Sequence, residues 1–181
     1  MLNWKKLALI FAVSAAMLCG CTQSNIVTPT GDVTIPGDGQ PDFVIDKDIP
    51  IDWAEVREDL REEFFDPYGF FGDYVLDLDV RYNGDTHTLA VVLPVTGDPT
   101  PEIASLYGQA VLKVVGDCIA TQNFYYTTPD EEDEFDYGSF FDEHDALVQV
   151  FIYNEEGNED AYIINDLIEA GDKRAPEPQN Q

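Results

Sequence analysis

Apolar and polar positions alternate with two different periods along this chain. Trp53, Val56, Leu60 and Phe64 recur at helical spacing, and Glu55, Arg57, Glu58, Asp59, Arg61 and Glu62 fill the rest of the turns. Asp52-Trp53-Ala54-Glu55 has the spacing of a capping box, flanked by Ile51 and Val56 as a hydrophobic staple, so the pattern predicts a helix from Asp52 that stops before Pro67. From Tyr74 to Val95 the period drops to two on either side of Asn83-Gly84, the dipeptide favoured in a two-residue type I′ hairpin turn. With those two residues as the loop, Tyr82 faces Asp85, and Val80–His87, Leu78–Leu89, Leu76–Val91 and Tyr74–Leu93 form an apolar face. Arg81–Thr86, Asp79–Thr88 and Asp77–Ala90 form the other face.

Thr100-Pro101-Glu102 signals a second helix: a Thr cap, a Pro at the first helical position, and an acid at the positive end of the dipole. Its apolar stripe is wide, running from Ile103 through Leu106, Tyr107, Val111, Val114 and Val115 to Cys118 and Ile119, with Gly116 expected to fray or end the last turn. Phe124–Thr128 reads as a strand from its aromatic and β-branched content. Ala146–Tyr153 is apolar on both faces, which suits a central strand or one covered on both sides. Residues 161–170 fit a short closing helix stopped by Gly171, with a strand over 161–165 as the alternative. The sum is an α+β domain over residues 50–171. It is expected to be a two-layer sandwich: a largely antiparallel sheet, carrying the Asn-Gly hairpin, with two main helices on one face. A polar tail, 172–181, follows.

The first 49 residues follow neither period. Lys5 and Lys6 precede Leu7–Leu18, which is uninterrupted and apolar except for Ser14. That run is far shorter than the roughly 20 residues of a membrane-spanning helix, and it matches the apolar region of a signal peptide. It ends in Leu18-Cys19-Gly20-Cys21, which resembles the lipobox of bacterial lipoproteins over residues 1–21. Cys21 is the cysteine that fits, because Cys19 would have the bulky Met17-Leu18 before it. The resemblance implies removal of residues 1–20, diacylglyceryl modification of Cys21, and anchoring on the extracytoplasmic face of the cell membrane. Residues 21–49 then serve as lipidated Cys and tether, rich in Thr, Pro, Gly and Asp, with a coil reach of about 30 Å. Phe43-Val44-Ile45 is its one apolar cluster, placed to dock on the domain.

Charge narrows the partners. The chain has 36 Asp and Glu against 9 Lys and Arg, a formal charge of −27, and loss of Lys5 and Lys6 would take it to −29. Such a surface repels nucleic acid and anionic headgroups, so attachment would depend on the acyl chains, and cationic or divalent partners are favoured. Once residues 1–20 are removed and Cys21 is acylated, Cys118 is the remaining thiol, so no intramolecular disulfide forms; its place on the apolar helix stripe reads as burial.

No catalytic motif stands out: there is no Gly-x-Ser-x-Gly, no His-Glu-x-x-His and no phosphate-cradling glycine loop. Ser139, His144 and Asp145 crowd one loop, and carboxylates are too numerous to single out a glycosidase pair. His87 reads as a strand residue near the hairpin tip. Two stretches remain as candidates. Pro129–Asp145 interleaves acids with Phe135, Tyr137, Phe140 and Phe141; Asp130, Asp133, Asp136 and Asp142 are its candidate Ca²⁺ ligands, although the EF-hand spacing fails. The same loop reads alternatively as solvated, or as a docking surface with acids for a basic partner and aromatics as anchors. Phe64–Tyr74, rich in aromatics and Gly, reads as a loop closing the end of the core, with a sugar-stacking platform as the alternative. The function expected from all this is a lipid-anchored, non-catalytic binding or assembly module of the cell envelope, with an envelope protein as its partner. The alternatives are a Ca²⁺-binding module and a carboxylate-dependent envelope hydrolase.

Overall fold

The computed structural model describes residues 45–179. The signal pattern, Cys21 and Phe43-Val44 lie outside the described residues. The class is α+β; the described residues form two α-helices and a four-stranded sheet in the order β1-β2-β3-β4. In chain order the elements are α1 (Trp53–Phe64), β1 (Asp79–Asn83), β2 (Thr88–Val95), α2 (Pro101–Gln122), β3 (Asp145–Ile152) and β4 (Ile164–Ile168). β1–β2 and β3–β4 pair antiparallel, while β2 and β3 run parallel over eight residue pairs from Thr88–Asp145 to Val95–Ile152. The sheet is therefore mixed, and the parallel join is made by the crossover through α2.

Both helix starts follow the local chemistry. Asp52 Oδ1 accepts the amides of Ala54 and Glu55, and Thr100 Oγ1 accepts that of Ile103. The Asp52 amide itself donates to Gln122 Oε1 at 2.7 Å. α1 buries Val56 and Leu60. α2 buries eleven residues, among them Tyr107, Val111, Leu112, Val115 and Ile119. It is long and apolar enough by length and composition to cross a membrane, but most of its apolar window is packed inside this domain. These side chains share one core with Leu78, Val80, Leu89, Val91, Leu93, Val95, Val148, Val150 and Ile164 from one face of the sheet. β3 is central, but positions on its other face, such as Leu147 and Gln149, stay half-buried; Phe151 is buried there by stacking on Tyr162 at 4.5 Å.

The hairpin departs from the two-residue expectation. Asn83 pairs with Thr88 and Val80 with Val91, which leaves Gly84–His87 as a four-residue loop and takes His87 off Val80. His87 adopts φ +52° there, and its carbonyl accepts the Asp145 amide at 3.0 Å, tying the hairpin tip to the start of β3. The faces survive because the alternation within each strand is kept. Upstream a bulge intervenes: Val75 bridges Val95, while Asp79 pairs Val92, and the amides of Leu76 and Asp77 both point at Pro94 O. The extra residue turns Leu76 out into solvent, against its expected place on the apolar face.

Other expectations change for tertiary reasons. Phe124–Thr128 forms turns instead of a strand: Thr127 exchanges hydrogen bonds with Ser139, and Tyr126 turns into the core. Residues 164–168 form β4, after a 3₁₀ turn at Glu159–Ala161, and not a closing helix. α2 does not end at Gly116; it continues to Gln122. Gly116 is instead where the loop crosses, since a Cβ there would lie 2.0 Å from Tyr137 O. Residues 172–179 run beside β4: Pro178 bridges Ile164, Gln179 N donates to Ile163 O, and Arg174 holds Asp166 bidentately. At the other edge, Arg57 donates to Val80 O and Arg61 to Leu78 O, each at 3.1 Å. Four residues of helix rise about 6 Å and two of strand about 6.8 Å, so arginines at i and i+4 match successive outward carbonyls of β1.

Two outcomes are expected. Gly116→Ala lowers unfolding stability by at least about 1–3 kcal/mol, because backbone must move to admit the methyl group; urea denaturation measures it, and a change within a few tenths would contradict the close approach. Replacing both Arg57 and Arg61 by Met uncovers the β1 carbonyls and raises concentration-dependent self-association, read by sedimentation velocity.

Candidate functional site

The acidic loop turns its aromatics inward. Tyr137, Phe140 and Phe141 are buried in the core, so they do not serve as exposed docking anchors. Three of its carboxylates hold the loop's own backbone. Asp130 Oδ1 accepts Glu132 N, Asp133 Oδ1 accepts Phe135 N, and Asp136 accepts Asp130 N through Oδ2 and Gly138 N through Oδ1. Lys113 Nζ and Gln109 Nε2, from α2, bond the carbonyls of Asp133 and Glu134. The ammonium of Lys173 lies 3.5 Å from Asp133 Oδ2 and 3.7 Å from Asp136 Oδ1. The field of Asp136 first, then Asp133 and Asp142, holds that ammonium's pKa above its ordinary value. Of the four candidate Ca²⁺ ligands, the fold thus brings Asp133 and Asp136 onto one lysine and ties Asp130 to Asp136 through its amide, while Asp142 belongs to the 3₁₀ turn Ser139–Asp142. Among the described residues no group of three or more His, Cys, Asp or Glu is placed to hold a metal ion.

The chain's two histidines, 87 and 144, meet at the end of the sheet with ring centroids 5.7 Å apart. His144 is buried, stacked on Phe140 at 4.1 Å, with Nδ1 2.8 Å from Phe140 O. Tyr82, Tyr126 and Trp53 complete an aromatic nest around that stack. Burial is the main cause holding the His144 pKa below the usual imidazole value; the facing His87 and Lys47 add to it, against the Phe140 carbonyl and Glu143. Ser139 is committed to Thr127, and Asp145 Oδ1 to the Ala170 amide, so neither is joined to His144 as a nucleophile or an orienting acid. Cys118 is buried, and burial together with the neighbouring Asp59 pushes its thiol up to about 12, the setting of an inert cysteine.

Phe124, Tyr125 and Tyr153 are exposed on the domain, but the most exposed aromatics lie in the Phe64–Tyr74 segment. Two tight turns follow one another: Gly69 N donates to Asp66 O at 2.9 Å, and Gly72 N to Gly69 O at 3.0 Å. Asp66 Oδ1 also accepts Tyr68 N, and Pro67 sits where such a turn favours proline. A Cβ at Gly72 would stand 2.6 Å from Pro67 O, so only glycine allows the two turns to nest. Tyr68 and Phe70 occupy the corners and are 95% and 75% exposed. Phe71 turns inward against Phe64 and Tyr107. The segment therefore closes the core with Phe64 and Phe71 and presents Phe65, Tyr68 and Phe70 outward, joined by the bulged-out Leu76. Below it the Tyr107 hydroxyl is buried, with no hydrogen-bond partner among the described residues. The sequence carries the signal for this display: Asp66-Pro67-Tyr68-Gly69 and Gly69-Phe70-Phe71-Gly72 place aromatics at turn corners, where a side chain projects from the fold.

No family model matches this chain, no curated protein matches it, and no solved structure matches it.

The histidine site has a pH consequence. A folded-state pKa held below that of the unfolded chain gives stability that is fully present above about pH 6.5 and is lost as the pH falls through the folded value. Melting temperature should therefore fall as the pH drops from neutral through that window. His144→Phe keeps the stack on Phe140, loses about 1 kcal/mol with the bond to Phe140 O, and flattens the slope over the window. An unchanged slope would assign it to other groups.

Proposed function

We propose that this chain is a lipid-anchored protein of the extracytoplasmic cell envelope that works by binding, without catalysis: a domain held off the membrane on a tether and presenting a fixed surface to a protein partner. Localisation rests on Lys5-Lys6, the apolar run Leu7–Leu18, and the lipobox-like Leu18-Cys19-Gly20-Cys21. The observation that carries the binding role is the placement of Tyr68 and Phe70 in solvent on two hydrogen-bonded turns. Monomeric soluble domains scatter single apolar residues over their surfaces, whereas grouped large ones mark contact sites. The ordering entropy of the turns is met within the fold itself, so a partner would meet a surface already in its bound shape.

The test has two parts. Wild-type protein expressed in a bacterium should incorporate labelled fatty acid and partition into the detergent phase, whereas Cys21→Ala should remain an unlabelled, uncleaved precursor. A photo-crosslinking residue at position 68 should capture one defined envelope protein, and the same residue at Glu131 should not. Loss of labelling without effect on crosslinking would sink the anchor and leave the binding role standing.

A further inference from the structure

The binding role just proposed leaves the partner's chemistry open, and the same surface specifies it. Beside the exposed turn is a cavity of about 240 Å³ whose wall includes Phe65, Asp66, Pro67, Gly72, Val75 and Leu76. That is below the roughly 300–1,000 Å³ of typical small-molecule sites and is large enough for one long side chain. Its lining mixes apolar side chains with polar surface, and Asp66 is the one ionisable residue in it. Asp66 Oδ1 is committed to Tyr68 N, while Oδ2 has no partner among the described residues. A long aliphatic stem with a cationic head fits both features.

The surrounding charges point the same way. The described ion pairs place Arg57, Arg61 and Arg81 on Asp77 and Asp79, Lys173 and Arg174 on Asp133, Asp136 and Asp166, and Lys47 on Glu143. Glu62, Glu63, Asp66 and Asp73, which flank the exposed aromatics, form no ion pair among the described residues. Four uncompensated carboxylates around three exposed rings repel a second copy of this chain and anionic lipid alike. They attract Lys and Arg, whose cations also stack on Tyr and Phe faces.

We infer that the Phe65–Leu76 surface docks a cationic segment of a partner protein, with one Arg or Lys seated in the cavity against Asp66 and a neighbouring cation stacked on Tyr68 or Phe70. The inference rests on the binding role proposed above, and its test separates the two.

Oligo-arginine peptide is titrated into the full chain in detergent at physiological salt, with binding followed by fluorescence anisotropy. Tyr68→Ser with Phe70→Ser is expected to weaken binding about tenfold. Asp66→Asn, which preserves the Tyr68 turn bond, is expected to weaken it by a similar factor. Glu131→Gln with Glu132→Gln removes two charges from the acidic loop and should stay within about twofold of wild type. Equal losses from the loop and turn variants would mean generic attraction to a −27 chain and would overturn the site; so would wild-type affinity in the turn variants. A defined protein crosslinked at position 68 through a surface lacking Lys and Arg would overturn the cationic partner while retaining the binding role.

Discussion

Eight residue pairs join β2 to β3 in parallel, and the rest of the fold answers to that join. A parallel pair cannot be closed by a tight turn, so the chain must leave the top of β2, cross the sheet and return to its starting end. Twenty-two residues of α2 make that crossing, and eleven of them are buried because one side of the helix lies over the sheet's inner face. Everything after the helix must then fit between it and β3. The loop reaches its place by passing over Gly116 and Gly138, the latter at φ +89°, with carbonyls of the loop pinned by Gln109 and Lys113. Asp130, Asp133 and Asp136 thus have local hydrogen-bonding duties, and Tyr137, Phe140 and Phe141 between the acids are part of the core.

How much of this was legible depended on how local its cause was. The caps at Asp52 and Thr100 are decided within three residues and could be read directly. So could the inward set Leu78, Val80, Leu89, Val91 and Leu93 and most of both helix stripes, since periodicity needs no knowledge of register; on α2, Leu106 is exposed against expectation and Leu112 is buried instead. The hairpin loop was misjudged because Asn83-Gly84 is a strong local signal, while the bond from Asp145 N to His87 O, which favours the longer loop, comes from a distant part of the chain. Phe124–Thr128 has strand composition but no free strand edge to join. Gly116 looks like a helix stop until the Tyr137 carbonyl is seen against it. Acids around Phe140 and Phe141 suggested exposure, and the rings are buried; the Gly-rich segment closes the core with Phe64 and Phe71 as expected, and also sets Tyr68 and Phe70 outside. Anchoring residues in turns could have been weighed from sequence, but which corners face solvent could not.

Charge in this protein is partitioned by purpose. Exposed ion pairs contribute roughly 0–1 kcal/mol each, so the arginines and lysines add little stability in sum. Their value is positional. Arg57 and Arg61 cover one edge of the sheet, and Arg174 fixes the segment that runs beside the other. Spending scarce cations on the edges leaves many carboxylates elsewhere without counter-charges, those of α1 among them.

Asn123 bears on how the domain takes load. It caps the end of α2, is almost completely buried, and its side-chain amide donates to the carbonyls of both Lys47 and Ile49. Lys47 is also paired with Glu143, and the Asp52 amide and carbonyl are clasped by Gln122. Tension arriving from the N-terminal side would therefore be taken up at this clasp, against the end of the longest helix, before it reached α1 or the sheet. The ladder β1-β2-β3-β4 would be spared unzipping from its edge strand. A buried asparagine and a half-buried glutamine thus make a strain relief, like the grip where a cable enters its housing, and the domain could be tugged without its exposed turns changing shape.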